Sequence, residues 1–293
     1  MRSNRSRSRA PALRSTLARA LTVCAFAAFL SDGASAQSPC RAPSADCVVV
    51  GKLDISVALG AGVRTNPLHK SSDIPLVVIP QISYYGERFF WDNLEFGFTL
   101  FEGKSHTFNM IAAPGYDRVF FFRDDLQNVF VSGTFMSLDG PPLEAPLDSS
   151  EQFRVRDRKT TYLAGPEWLF RFGEVIGQLD VLKEVTGRHD GYEVRAAVAS
   201  PIVQSRSSLV ASAGFTWKSK ELVDYYYGVP GLYEPDAALN PFVKVGYALP
   251  LAERWTFSAF AHYERLGGEI SDSPIVGGEG VTTVFAGFVF KVY

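Results

Sequence analysis

Apolar and polar residues alternate along several segments of this chain, most regularly at residues 254–264. Successive side chains of a β-strand point to opposite faces, so such a segment gives a strand one apolar and one polar face. Residues 52–60, 191–198, 208–218 and 242–249 repeat the pattern. The alternation therefore predicts an all-β protein. In residues 254–264 the apolar face is formed by Trp255, Phe257, Ala259, Ala261 and Tyr263.

The alternation and its interruptions predict twelve strands, with connections that are mostly long after odd-numbered strands and mostly short after even-numbered ones. Outer-membrane barrels have an even number of antiparallel strands, short periplasmic turns and long outer loops. We therefore predict a single transmembrane antiparallel β-barrel with both termini in the periplasm. Ten or fourteen strands stay open as alternatives, because residues 111–128 show no clear turn. The predicted strands are 52–62, 75–91, 94–101, 104–121, 128–138, 159–172, 174–186, 191–202, 206–218, 240–249, 253–266 and 280–292.

Two other architectures have to be compared with the barrel. After residue 36 the chain has no run of 18 consecutive apolar residues, so membrane-spanning helices are excluded. A soluble β-sandwich also alternates, because one face of each sheet is buried. The barrel is favoured by the alternating connection lengths and by aromatic residues near strand ends, where they suit membrane interfaces. It is also favoured by polar faces that combine charged residues with Gly, Ser and Thr.

The first 36 residues have the pattern of a secretory signal peptide. An arginine-rich start precedes a short apolar run, Ala20 to Leu30, which is followed by Ala34-Ser35-Ala36. Small residues at these positions are what a signal peptidase requires, so we expect cleavage after Ala36. An N-terminal membrane anchor is the alternative, but the apolar run is too short to cross a bilayer as a helix.

Export changes both the charge and the expected cysteine chemistry. Cleavage removes six arginines and one aspartate, leaving 23 Lys and Arg residues against 30 Asp and Glu residues, and this acidic balance argues against nucleic acid as a partner. Residues 37–50 form a predicted periplasmic segment ahead of the barrel, which occupies 51–293. Cys40 and Cys47 lie in this segment, and an oxidising compartment favours a disulfide between them, with two free thiols as the alternative. No metal or cofactor is indicated.

Three short motifs carry a family resemblance. Within residues 74–101, residues 74–93 read Ile-Pro-Leu-Val-Val-Ile-Pro followed by Gln-Ile-Ser-Tyr-Tyr-Gly-Glu-Arg-Phe-Phe-Trp-Asp-Asn, and Asn66-Pro67-Leu68 precedes them. Together with a tyrosine-rich segment, they resemble the MipA/OmpV family over residues 51–293, leaving 37–50 outside. That segment is Asp224, Tyr225, Tyr226, Tyr227, Gly228 and Val229.

The resemblance implies a barrel in the outer membrane of a Gram-negative bacterium. For the founding member it implies a scaffold that joins a lytic murein transglycosylase to a penicillin-binding protein, and for other members roles in adhesion, immune recognition or permeability. A scaffold is therefore our leading hypothesis, with a narrow pore or a surface adhesin as alternatives. A barrel enzyme is less favoured, because the chain has no Gly-x-Ser-x-Gly or His-Glu-x-x-His motif.

Charged residues on the polar faces are candidates for lining the lumen, where mixed charges can either line a pore or fill a small barrel with ion pairs. The tyrosine-rich segment could bind a ligand on an outer loop or pack into the barrel mouth; aromatic residues more often pack. A basic run in the loop 139–158 and just after it could contact lipopolysaccharide phosphates or simply be solvated; it comprises Arg154, Arg156, Arg158 and Lys159. The candidate lumen-lining residues are Glu167, Arg171, Asp180, Glu193, Arg195, Lys218, Lys244, Arg254 and Glu264.

Overall fold

A computed structural model describes residues 50–121 and 158–292 of the protein. Twelve antiparallel strands of these residues form one closed ring. Each strand pairs with its neighbours along the chain, and β1 pairs with β12 to close the ring. The strands are β1 Lys52–Arg64, β2 Ile74–Tyr85, β3 Phe89–Asp92, β4 Glu95–Glu102, β5 His106–Pro114, β6 Tyr162–Phe172, β7 Val175–Glu184, β8 Tyr192–Gln204, β9 Ser208–Lys218, β10 Ala238–Ala252, β11 Trp255–Arg265 and β12 Gly280–Lys291. The predicted closed antiparallel barrel is confirmed.

The two ends of the barrel differ in the length of their connections. At one end, where β1 begins and β12 ends, all five connections are turns of two or three residues; we call it the turn end. The opposite end, the loop end, carries the long connections and one short turn at 93–94. The predicted alternation therefore holds at every connection except that between β3 and β4. The turns of the turn end are 86–88, 103–105, 173–174, 205–207 and 253–254.

Two predicted strands end several residues earlier in the structure than the sequence pattern predicts. The predicted strand 75–91 is broken at 86–88, where the Gly86 amide donates to the Phe89 carbonyl at 2.7 Å and the chain reverses into the short β3. The predicted strand 104–121 ends at Pro114, and a 3₁₀ helix follows at Tyr116–Phe120. The predicted strand 128–138 lies outside the described residues, and β5 pairs directly with β6. The count of twelve is thus reached with a different set of strands.

The strands expose large apolar side chains on the outside of the ring. Val243 is 55% exposed and Phe288 is 48% exposed, whereas Ala58, on the inner face of β1, is 1% exposed. On a soluble protein these apolar side chains would be exposed to water. In a barrel that spans a membrane they contact lipid instead. Among the described residues, no helix is long and apolar enough to cross a membrane.

Glycines allow the first and last strands to approach closely where the ring closes. Gly60 of β1 lies opposite Gly287 of β12. A Cβ atom on Gly60 would lie 2.3 Å from the Ala286 carbonyl oxygen and 2.6 Å from the Gly287 Cα, both of them backbone atoms. A Cβ atom on Gly246 of β10 would instead have no other atom within 4 Å. The closing pair therefore has no room for a side chain at residue 60.

We predict that Gly60→Ala lowers the stability of the folded barrel by about 1–3 kcal/mol, because backbone atoms must move to admit the methyl group. Gly246→Ala is the matched control and should leave the stability unchanged. The measurement is the temperature at which the compact band on an unboiled SDS gel is lost. An equal loss of stability in the two variants would contradict the close packing of β1 against β12.

Candidate functional site

The loop end of the lumen is filled by chain segments that turn inward after the strands. A helix, α1, spans Lys220–Tyr227 directly after β9, and a short helix, α2, spans Gly268–Ser271 between β11 and β12. Four residues of α1 are buried and pack with inner-face residues of β5, β6, β7, β10 and β12 in one cluster, the plug core. The plug core comprises Ile111, Leu163, Leu182, Leu222, Val223, Tyr226, Tyr227, Ala238, Leu266, Ile270, Ile275, Val276 and Val281.

A buried aspartate connects the plug to the wall of the barrel. Asp117, in the 3₁₀ helix, accepts a hydrogen bond from Lys218 Nζ of β9 and another from the Tyr227 hydroxyl of α1, both at 2.6 Å. Lys218 and Asp117 form an ion pair whose side chains are 9% and 2% exposed. Burial and the Asp117 carboxylate raise the pKa of Tyr227 well above its usual range, so the hydroxyl keeps its proton and remains a donor.

All three tyrosines of the family motif make hydrogen bonds. The Tyr226 hydroxyl lies 3.0 Å from Thr161 Oγ1, and its carbonyl accepts from Arg158 Nε at 2.6 Å. The Tyr225 hydroxyl accepts from the Lys159 amide at 2.8 Å. The structure thus places the tyrosine-rich segment in the barrel mouth, with Tyr226 and Tyr227 fully buried.

This placement changes the interpretation of the basic run that was considered for lipopolysaccharide. Arg158 is 2% exposed and its guanidinium lies 4.3 Å from the centre of the Phe121 ring. Its side chain is therefore buried against Tyr226 and Phe121 and does not present a cation at the outer rim. Arg154 and Arg156, like the loop they belong to, lie outside the described residues, as do Cys40 and Cys47.

A chain of polar side chains crosses the inner wall below the plug. Asn109 Nδ2 donates to Glu167 Oε2 at 2.6 Å. Gln178 Nε2 lies 3.0 Å from Glu167 Oε1 and 2.9 Å from Asp180 Oδ2, so that one amide group bridges two carboxylates. Glu167 and Asp180 face each other across β6 and β7. Such a network holds its members in one geometry, because each buried polar group depends on its neighbour for a partner.

The same wall carries a buried ion pair that contacts the 3₁₀ helix. Arg195 Nε donates to Glu193 Oε1 at 2.6 Å, within β8. The Arg195 guanidinium lies 5.6 Å from the centre of the Tyr116 ring, a distance at which a cation is attracted to the ring face. The 3₁₀ helix is therefore held on two sides, by Arg195 at Tyr116 and by Lys218 at Asp117.

The nine candidate lumen-lining residues occupy three places. Glu167, Asp180, Glu193, Arg195 and Lys218 are buried together on the inner wall of β6 to β9. On the inner face of the opposite wall, Lys244 pairs in register with His262, and Glu264 Oε1 accepts from Asn240 at 2.8 Å. Arg171 and Arg254 are exposed at the turn end.

Sequence reasoning missed several residues of this site. Glu95 lies close enough to Arg195 and Asp180 to interact with their charges, and it could have been found, because it shares the inner face of β4 with Gly97 and Thr99 in simple alternation. Asp117 could not have been found in this way. It lies within the segment predicted as strand 104–121, and the 3₁₀ helix that places it in the lumen has no polar periodicity of its own.

Comparison with known proteins identifies the family. The family model described as MltA-interacting protein MipA matches residues 57–292. The chain belongs to the MipA family. Among its relatives, the MltA-interacting protein of Escherichia coli K12 is 22% identical over 246 residues, which are 80% of this chain and 89% of the relative. YiaT of the same strain, which carries an outer-membrane name, is 24% identical over 234 residues, which are 76% of this chain and 85% of YiaT.

The relatives are named as interacting or outer-membrane proteins. This chain is an outer-membrane β-barrel of the same family. Outer membrane protein Omp26La of Vibrio anguillarum is 25% identical over 154 residues, which are 49% of this chain and 59% of that protein. Among solved structures, an anion-selective porin from Comamonas acidovorans is similar with a TM-score of 0.32 and 7% identity, over 82% of this chain and 98% of the porin.

We predict that Asp117→Asn lowers the stability of the folded barrel by about 3 kcal/mol, because it removes the carboxylate that forms the ion pair with the buried Lys218 ammonium. Adding Lys218→Met to Asp117→Asn should restore part of this loss. Asp236→Asn is the control, since Asp236 forms an exposed ion pair with Lys220 at 3.2 Å, and such pairs contribute little. The heat stability of the compact band measures all three. A loss equal to that of Asp236→Asn would show that Asp117 does not hold the plug.

Proposed function

We propose that this MipA-family barrel is a non-enzymatic scaffold that holds murein enzymes, a lytic transglycosylase and a penicillin-binding protein, at the inner surface of the outer membrane. The proposal draws on the similarity to a relative named for its interaction with MltA. The observation that carries it within this chain is the plug core, in which α1 spans the lumen between opposite walls of the ring. A barrel filled in this way offers its surface to a partner.

The narrow pore is less well supported by the geometry. Tyr226 and Tyr227 are fully buried, and Asp117 ties Tyr227 to Lys218 of the wall. A solute path along the barrel axis would require α1 to leave the lumen and expose these side chains. That movement would break the hydrogen bond from the Tyr227 hydroxyl to Asp117 and would take a donor away from a buried carboxylate, which is costly.

The turn end is the surface that we assign to the partner enzymes, and we place it in the periplasm. Its five turns contain only two or three residues each, so their side chains are displayed from rigid positions. Four of the five turns carry an exposed basic residue, the fifth lies beside the exposed Arg171 at the end of β6, and three of the turns carry a glutamate. Exposed charges of both signs favour docking of a partner with a complementary pattern of charge. They contribute to the specificity and rate of binding more than to its affinity. The basic residues are Arg88, Lys104, Arg171, Arg206 and Arg254.

The membrane supplies the remaining partners in this proposal. The exposed apolar outer face would contact the acyl chains of outer-membrane lipid. With the turn end in the periplasm, phospholipid would surround the barrel on that side and lipopolysaccharide would surround it near the loop end.

The test is capture of the murein enzymes from an envelope extract by the barrel folded in mild detergent. We predict that the unaltered barrel retains a lytic transglycosylase and that reversing Arg88, Lys104 and Arg206 together to Glu reduces its retention about tenfold, because docking loses three complementary charges. The matched control reverses three exposed basic residues of the loop end, Lys70, Arg188 and Lys220, to Glu. That control should retain the enzyme.

Both variants must keep the compact, heat-modifiable form before capture is compared. If the unaltered barrel retains no murein enzyme, the scaffold hypothesis is wrong. If the loop-end reversal abolishes retention and the turn-end reversal does not, the partner surface has been assigned to the wrong end.

A further inference from the structure

The turn end contains a cavity that is separate from the plug. It has a volume of about 280 Å³ and lies on the inner wall of four adjacent strands, β2, β1, β12 and β11, with the turn between β10 and β11 at its rim. That volume holds about nine water molecules, the space of an amino acid or a dipeptide. We call it the vestibule. Besides its four charged residues, it is lined by Ser56, Gln81, Ser83, Thr256 and Val289.

The inner face of each of these strands changes from polar to apolar with distance from the turn end. On β1 the inward residues run from Asp54 through Ser56 to Ala58, and on β2 they run from Ser83 through Gln81 to Ile79. Ala58 and Ile79 are 1% exposed. The vestibule therefore has polar walls above an apolar floor.

The floor is a second buried cluster, formed by Ala58, Ile74, Leu76, Ile79, Phe260 and Phe285. The rings of Phe260 and Phe285 stack at a distance of 5.9 Å between their centres, across β11 and β12. Val289 packs against this cluster and also lines the vestibule, so the two are in direct contact. A ligand entering from the turn end would meet this apolar cluster beyond the polar walls.

The charges of the vestibule are balanced, with two carboxylates and two cations. Lys291 Nζ lies 2.7 Å from the carboxylate of Asp54, and both side chains remain partly exposed, at 47% and 40%. Glu253 and Arg254 come from the turn at the rim. The Arg254 carbonyl accepts from the Lys291 amide at 2.9 Å, which fixes the turn against β12. Neither a simple anion nor a simple cation is favoured by a site in which each charge has an opposite charge nearby.

We propose that the vestibule binds a small zwitterion, an amino acid or short peptide with a free ammonium and a free carboxylate. The carboxylate pairs with Arg254 at the rim, and the ammonium pairs with Asp54. The side chains of the ligand lie toward the apolar floor at Val289. Charge-assisted hydrogen bonds at both ends give the site its selectivity for molecules that carry both charges. This inference does not depend on the scaffold or on any partner enzyme.

The probe is alanyl-alanine, titrated by calorimetry or ligand-detected NMR into the full barrel folded in detergent. We expect saturable binding with a Kd of about 1 mM, given the small size of the ligand. Acetylation of its amine or amidation of its carboxylate should each weaken binding about tenfold, because one charge-assisted hydrogen bond is lost. No saturable binding of the free dipeptide, or equal binding of all three compounds, would overturn the proposal.

Substitutions assign the two ends of the ligand. Arg254→Gln should weaken alanyl-alanine about tenfold and leave the binding of its amide unchanged, because the amide has no carboxylate to lose. Asp54→Asn should weaken alanyl-alanine about tenfold and leave the binding of its acetylated form unchanged, because the acetylated form has no ammonium to lose. Arg206→Gln is the control, since Arg206 lies in a neighbouring turn of the same end but does not line the vestibule. All three positions are at least partly exposed, so the variants should fold, and the compact band verifies this. If Arg206→Gln weakens binding as much as Arg254→Gln, the site has been misplaced.

Discussion

The carboxylate of Asp117 is the interaction on which the interior of this barrel depends. It is presented by a 3₁₀ helix inside the ring, and it accepts hydrogen bonds from Lys218 of the wall and Tyr227 of α1. An ammonium and a carboxylate buried together are tolerated only when each has its partner, so the helix, the wall and α1 are fixed relative to one another. The tyrosine-rich family motif is held in the barrel mouth by this connection and by the hydrogen bonds of Tyr225 and Tyr226 to residues 158–161.

The two ends of the barrel follow from this arrangement. At the loop end, long connections fold inward and their apolar side chains form the plug core. At the turn end, the connections are too short to fold inward, so their charged side chains remain exposed around the polar vestibule. A filled lumen at the loop end and a rigid, charged rim at the turn end fit the proposed scaffold, which presents a surface to partners. They suit a solute channel poorly.

The sequence allowed the ring to be predicted because lipid and lumen impose opposite polarity on successive residues of every strand. That signal is strong in β9 to β12, where the alternation is interrupted mainly by the inward-facing Phe260 and Phe285. It failed at 86–88, because aromatic residues stand directly on both sides of this short turn, at the end of β2 and in β3. It failed again after Pro114, where Asp117 and Tyr116 belong to a 3₁₀ helix whose position is set by contacts with Lys218 and Arg195, residues distant in the chain. Arg158 shows the same limit: a basic residue next to a loop suggests exposure to solvent, yet its guanidinium is buried against Tyr226 and Phe121.

The central claim is that the lumen is filled by α1 and the residues bonded to it. The most direct measurement is the electrical conductance of the unaltered barrel reconstituted in planar lipid bilayers. The filled lumen predicts that insertion, verified by the compact band of the reconstituted protein, produces no steady current steps above those of the bare bilayer. Stable, uniform current steps from the unaltered protein would contradict the account, because they would require an open path through the region that the plug core occupies.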